Sequence, residues 1–171
     1  MADRRMLTEV ILPAVREAVG EADVLFVGVE WYTAGYDALF PAGNLVTVDI
    51  DERQQAHGSA RHVTADVREL SQHFAADSFG AVICNGVIGH GLDAPADVEQ
   101  ALAAMARCLA PGGALVIGWN DTDELRVPGL ERAAVAAGLV PSPGAGLPGW
   151  RSESLGPLRH TYDVYRRPPL G

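Results

Sequence analysis

The chain has no lysine: all thirteen of its basic residues are arginine, and no basic run is longer than Arg4-Arg5 or Arg166-Arg167. With a net charge of −9, that leaves no electrostatic footprint for nucleic acid or an anionic membrane, and a small-molecule ligand is the better expectation. Only two cysteines occur, Cys84 and Cys108, at a spacing that suits neither a metal centre nor a disulfide framework, so both read as buried apolar fillers. No apolar stretch approaches the eighteen or so residues of a spanning helix, and the N-terminal residues lack a signal core, which points to the cytoplasm. Arginine without lysine, alongside abundant alanine, fits a GC-rich bacterial source. What is present is a chain of 171 residues, 48% apolar, enough for one domain over residues 1–171.

Four apolar runs end in polar or acidic residues: 24–27, 45–49, 62–66 and 81–85. Parallel strands buried on both faces read this way, and ligands collect outside their carboxyl ends. Around them, apolar residues at helical spacing predict a leading helix over 7–19, stopped by Gly20. The rest reads as strand 24–29, a short helix 32–40, strand 45–50, a weak connector 51–60 and strand 61–65. Then come helix 67–74, strand 79–85, helix 95–109, the turn Pro111-Gly112-Gly113, strand 114–119, helix 127–137 and a Pro/Gly loop 141–149. Residues 159–166 alternate in character and predict a final antiparallel edge strand. The fold class expected is α/β: a Rossmann-like, doubly wound, mostly parallel sheet of seven strands with one antiparallel strand in the edge region and helices on both faces.

The residues closing each run are the candidates for chemistry. Asp49, about twenty residues beyond Gly28, ends strand two where a carboxylate can accept hydrogen bonds from both hydroxyls of a ribose; its other reading is a cap on the following turn. Asp66 is placed to meet an exocyclic amine such as that of adenine, to N-cap the helix after it with Glu69 completing a capping box, or to do both, one carboxylate oxygen serving each role. Asn85-Gly86 ends strand four, with His90 beyond it.

Together, this strand, Asn85-Gly86 and the Leu109-Ala110-Pro111-Gly112-Gly113 turn resemble the class I S-adenosylmethionine-dependent methyltransferases of small molecules. The likeness runs from Val24 to about Asn120, and the leading helix and trailing strand fit the same frame. It implies S-adenosylmethionine as cofactor and a small-molecule acceptor. It also implies Gly28 in the methionine-binding loop, Asp49 at the ribose, Asp66 at the adenine and Asn85-Gly86 beneath the sulfonium.

One segment departs from the family. Its first motif runs acidic-x-Gly-x-Gly-x-Gly, but here Phe26 stands at the acidic position, Glu30 at the second glycine and Tyr32 at the third. A loop without those glycines approaches a ligand less closely, and any position needing positive φ is strained. In this loop Glu30 can meet the ammonium of the cofactor while Trp31 or Tyr32 walls the pocket, aromatic faces being favourable to a sulfonium cation. Three functions stay open: methylation, another use of the same cofactor such as cyclisation or elimination, and a non-catalytic binding or partner subunit. For catalysis the candidates are His90, able to take a proton near neutrality, and Asp121, after Trp119-Asn120, where Asp121 or Asn120 could orient an acceptor or serve only the turn. His160 and Tyr162 are weaker candidates, and a homodimer is an expected way to supply missing pocket walls.

Overall fold

Four consecutive buried residues, Val24–Val27, form strand β1, which pairs in parallel with a neighbour on each edge. The structure is a computed structural model and describes residues 2–171. The neighbours of β1 are β2 (Leu45–Asp49) and β4 (Phe79–Asn85); β3 (Arg61–Thr64) lies outside β2, and β5 (Leu109–Asn120) outside β4. β8 (His160–Arg166) runs antiparallel beside β5, and its far edge carries two short strands, β6 (Val140–Pro141) and β7 (Arg151–Glu153). The order is β3-β2-β1-β4-β5-β8-β6, with β7 on β8. The chain crosses from one half of the sheet to the other between β1 and β4, and a cleft opens at such a crossing, outside the strand ends.

Alternate side chains along the strands feed two cores. Leu25, Val27, Val46, Val48 and Ile117 pack against α3 (Pro95–Cys108) and α4 (Leu130–Ala136). In α3, Pro95 sits in the first turn, where its missing N–H costs nothing, and Val98, Ala101, Leu102 and Met105 form the buried stripe. On the other face Val24, Phe26, Ile83, Tyr162 and Val164 meet Leu7, Ile11, Leu12 and Val15 of the leading helix. That helix is α1 (Ala2–Arg5), a π-type segment Met6–Ile11 and α2 (Leu12–Val19). The Leu12 N–H reaches back to the Leu7 carbonyl, a widened turn that makes room just ahead of the Pro13 ring.

The doubly wound frame expected from the sequence is present, with an eighth strand added. The predicted helix 32–40 is instead two 3₁₀ turns, Trp31–Thr33 and Tyr36–Leu39, because Gly35 between them takes a left-handed conformation (φ 88°) that no helix can continue. Helix 67–74 is likewise the 3₁₀ segment Val67–Gln72, kinked at Glu69, and the connector 51–60 holds the 3₁₀ segment Glu52–His57. Helix 127–137 shortens to Leu130–Ala136, since Gly129 before it is left-handed (φ 80°). Pro111-Gly112-Gly113 is not a turn ahead of its strand but an irregularity inside β5, between the Phe79–Leu109 and Ala81–Ala114 pairs. There Gly112 donates its N–H to the Arg167 carbonyl and Gly113 accepts from the Arg167 N–H. The final strand is not an edge, because β6 and β7 cover its outer side. No helix among the described residues is long and apolar enough to cross a membrane.

Candidate active site

A cleft of about 560 Å³ opens over the carboxyl ends of β1, β2, β4 and β5 and is partly roofed by Asp3 and Arg4 of the leading helix. That volume lies in the range of small-molecule sites. Gly28 is where β1 leaves the sheet, and it has φ 98°. A Cβ there would stand 2.2 Å from the Asn85 carbonyl oxygen and 2.8 Å from a Val87 methyl, so two backbones approach only because this residue is glycine. Gly86, also lining the cleft, has φ 68°.

Asp49 ends β2 half-buried, with Oδ2 accepting the Val29 N–H and Oδ1 accepting the Asp51 N–H, both at 2.9 Å. The turn-capping reading and a ligand-facing carboxylate therefore coexist: each oxygen is aimed by one amide and keeps acceptor capacity on the cleft side. Asp66 also lines the cleft, but its carboxylate is committed. It caps Val67–Gln72 through the Arg68 N–H (2.9 Å) and takes the Arg68 guanidinium at 2.6–3.1 Å. Arg68 goes on to Asp97 at 3.0 Å. Hydrogen bonding from Arg68 holds the Asp66 carboxyl below its usual range, burial opposing it. The N-cap role is filled, with Arg68 rather than Glu69 as the partner.

The unusual loop is unstrained. Glu30, at the second glycine position of the motif, is extended (φ −142°), and its N–H and carbonyl both bond the Thr33 hydroxyl, at 3.2 and 2.8 Å. Among the described residues, non-glycine positive φ occurs only at Asp77, Ala145 and Arg159. Phe26, at the acidic position, is fully buried and edge-on to Tyr36 with ring centres 5.6 Å apart, where a carboxylate would be desolvated. Glu30 and Tyr32 line the cleft; Trp31 does not and is 64% exposed. Arg4 lies over Tyr32, 3.9 Å from the ring centre, and over Trp31 at 5.3 Å, so the aromatic faces already hold a cation from the leading helix.

The other half of the cleft holds two histidine–asparagine pairs. His90 Nε2 lies 2.8 Å from Asn120 Oδ1, and Asn120 Nδ2 donates to the Leu158 carbonyl at 3.1 Å. Since the amide nitrogen is spent on Leu158, the oxygen faces His90 as an acceptor; the proton therefore sits on His90 Nε2 and Nδ1 is the basic atom. His160 Nε2 lies 2.9 Å from Asn85 Oδ1. Tyr162, edge-on to His160 at 4.8 Å, donates its hydroxyl to the Asp3 carbonyl at 2.9 Å. Burial lowers the His160 pKa to about 4, against a small opposing effect of Asp3, and pushes the Tyr162 phenol far up.

Asp121 is outside the cleft. It pairs with Arg126 and, at 3.5 Å, with Arg159, in an ionic cluster that includes Asp123 and Glu153. Of the two neighbours that the sequence offers for orienting an acceptor, Asn120 lines the cleft and Asp121 faces out of it. His160 and Tyr162, two residues apart on β8, share a face, and both line the cleft.

The family described as a methyltransferase domain matches residues 27–117, just over half of the chain, and the chain belongs to it. It is therefore an enzyme of the S-adenosylmethionine-dependent methyltransferase class, as the sequence resemblance implied. Among solved structures it is similar to the N-methyltransferase NodS from Bradyrhizobium japonicum WM9, at TM-score 0.72 and 16% identity, covering 98% of this chain and 97% of that one. It is also similar to a TehB-like S-adenosylmethionine-dependent methyltransferase from Corynebacterium glutamicum, at TM-score 0.70 and 20% identity over 97% and 87%. A third is the 1,6-didemethyltoxoflavin-N1-methyltransferase of Burkholderia thailandensis, at 0.64 and 18% over 96% and 82%. These likenesses establish the fold. No curated protein sequence matches the chain. The cleft fits the cofactor class on its own terms, with a backbone cradle at Gly28 that a Cβ would fill and an aimed carboxylate at the end of β2.

Proposed function

We propose that the chain methylates a small-molecule acceptor from S-adenosylmethionine, the cofactor over β1 and β2 and the acceptor over β4, β5 and β8. The observation that carries the acceptor half is the His90–Asn120 pair, an oriented base on the far side of the strand crossing from Asp49. The Burkholderia neighbour, whose structure holds 1,6-didemethyltoxoflavin with S-adenosylhomocysteine, supports an acceptor of that size in a cleft of this kind.

In this reading Asp49 receives the ribose hydroxyls on the lone pairs its backbone amides leave free. The backbone at Gly28 and Val29 borders the methionyl part, Glu30 meets its ammonium, and Asn85-Gly86 lie below the sulfur. Asp66 and Arg68 bound the adenine. S-adenosylmethionine supplies a methyl group on a sulfonium, whose departure as a neutral thioether makes the transfer an in-line displacement. The protein aligns the acceptor and excludes water. His90 Nδ1 takes the acceptor's proton, while Asn120 Oδ1 keeps hold of Nε2–H and steadies the imidazolium that results.

Calorimetry with S-adenosylhomocysteine tests the cofactor half. Asp49→Ala should weaken binding by about 1.5 to 3 kcal/mol, roughly ten- to a hundredfold. An unchanged affinity would remove Asp49 from the ribose, and no binding by the native protein at millimolar ligand would overturn the proposal. Incubation of cell extract with methyl-labelled cofactor tests the acceptor half. Label should appear in small molecules, and label confined to protein or nucleic acid would refute it. His90→Gln should slow that transfer by about 10²- to 10⁴-fold with cofactor affinity retained.

A further inference from the structure

His160 lies outside the matched family segment, on β8, yet it is built into the acceptor half of the cleft. Its partner Asn85 is on β4, and β5 runs between the two strands. They meet because Gly118 of β5, paired with Asn85 on one side and Tyr162 on the other, has no side chain. A Cβ at Gly118 would stand 2.0 Å from Asn85 Oδ1, 2.8 Å from His160 Nε2 and 2.9 Å from the Tyr162 ring. The glycine is a notch through which a hydrogen bond crosses a strand.

That hydrogen bond fixes the chemistry of the ring. The amide oxygen of Asn85 can only accept, so Nε2 of His160 carries the proton and Nδ1 is a bare acceptor. The ring is 7% exposed, edge-on to Tyr162, and burial opposes a second proton. The charged and titratable groups acting on it are Asp3 from the leading helix and His90 from the loop after β4, of opposite effect. His160 thus stays a neutral acceptor of hydrogen bonds.

We propose that His160 is a specificity-determining residue for the acceptor, its Nδ1 receiving an N–H or O–H of the substrate, so that the site selects molecules bearing an uncharged hydrogen-bond donor beside the atom to be methylated. This rests on the acceptor lying over β4, β5 and β8. Amides, lactams and N–H heterocycles belong to the selected class; fully N-alkylated counterparts do not.

The probes are 2-pyridone and N-methyl-2-pyridone, titrated into the native protein with and without S-adenosylhomocysteine, while ¹⁵N NMR follows the histidine rings. Expected are an Nε2–H tautomer of His160 without added probe, a shift of its Nδ1 resonance with 2-pyridone, and none with the N-methyl compound. The native protein should prefer 2-pyridone by about three- to tenfold, the scale of one hydrogen bond, and His160→Phe should bring the two within about twofold. A His160 that carries its proton on Nδ1, that responds alike to both probes or to neither, or whose replacement leaves the preference intact would overturn the proposal. The native-protein spectra decide the matter even if the variant does not fold. Failure to bind S-adenosylhomocysteine with probe discrimination intact would instead count against the methyltransferase reading alone.

Discussion

Gly28 and Glu30 occupy two glycine positions of one motif and answer to different constraints. At Gly28 the backbone is left-handed and a Cβ would run into the Asn85 carbonyl oxygen, which belongs to a central strand and cannot move aside cheaply. Glu30 is extended, and any residue can adopt that conformation. Gly28→Ala should therefore cost about 2 to 4 kcal/mol, through strain and through separation of β1 from β4, and should abolish binding of S-adenosylhomocysteine. Glu30→Gly, which restores the family residue, should change stability by less than about 1 kcal/mol. Urea unfolding of both variants checks this, and a Gly28→Ala midpoint equal to that of the native protein would mean that the cradle is not tight.

Among the elements, β7 exists because of β8. Asp163 on β8 is fully buried and takes the Arg151 guanidinium through two hydrogen bonds of 2.7 Å, with the Tyr165 hydroxyl at 3.3 Å. Arg151 in turn lies over Trp150 and Trp119, 4.6 and 5.2 Å from the ring centres. Removing either partner is not equivalent. Arg151→Ala strands a carboxylate with no exposure and should cost about 3 to 5 kcal/mol, whereas Asp163→Ala leaves a guanidinium that is 40% exposed and should cost less. Denaturant titration of the two variants would expose the order, and equal losses would show that packing, not charge, holds β7. Two and three residues in a Pro/Gly-rich stretch carry no periodicity, so β6 and β7 were illegible in the sequence. β4, by contrast, was legible to the residue as Phe79–Asn85, and α3 nearly so, because burial imposes a long apolar run on one and a stripe on the other. The site divides along the same line. Asp49, Asn85 and His90 announce themselves by following strand ends, whereas the Asn85–His160 bond depends on a notch at Gly118 and on the register of an antiparallel strand. Asp121 faces out because Arg126, five residues on, and Arg159, just ahead of β8, take its carboxylate, partners that its own motif does not reveal.

At the scale of the whole molecule, acid acts on stability in two windows. The folded His160 pKa is about 4, below the ordinary 6.5, so between those values the unfolded chain binds the proton more readily and stability falls as pH falls. His62 is lowered by burial and acts in the same direction. Asp66, held low by Arg68, works further down: its contribution is present above the ordinary carboxylate value and is lost as pH drops through the folded one. The unfolding free energy should therefore be flat from pH 8 to 7 and then decline by about 3 kcal/mol from His160 alone before the carboxylates titrate. His160→Phe removes the titrating ring. Urea midpoints at pH 7, 5.5 and 4 should fall more steeply for the native protein than for the variant, the two curves converging toward pH 4. Parallel curves would show that the imidazole is as free to take a proton in the folded chain as in the unfolded one, and would remove the neutral acceptor on which recognition at β8 depends.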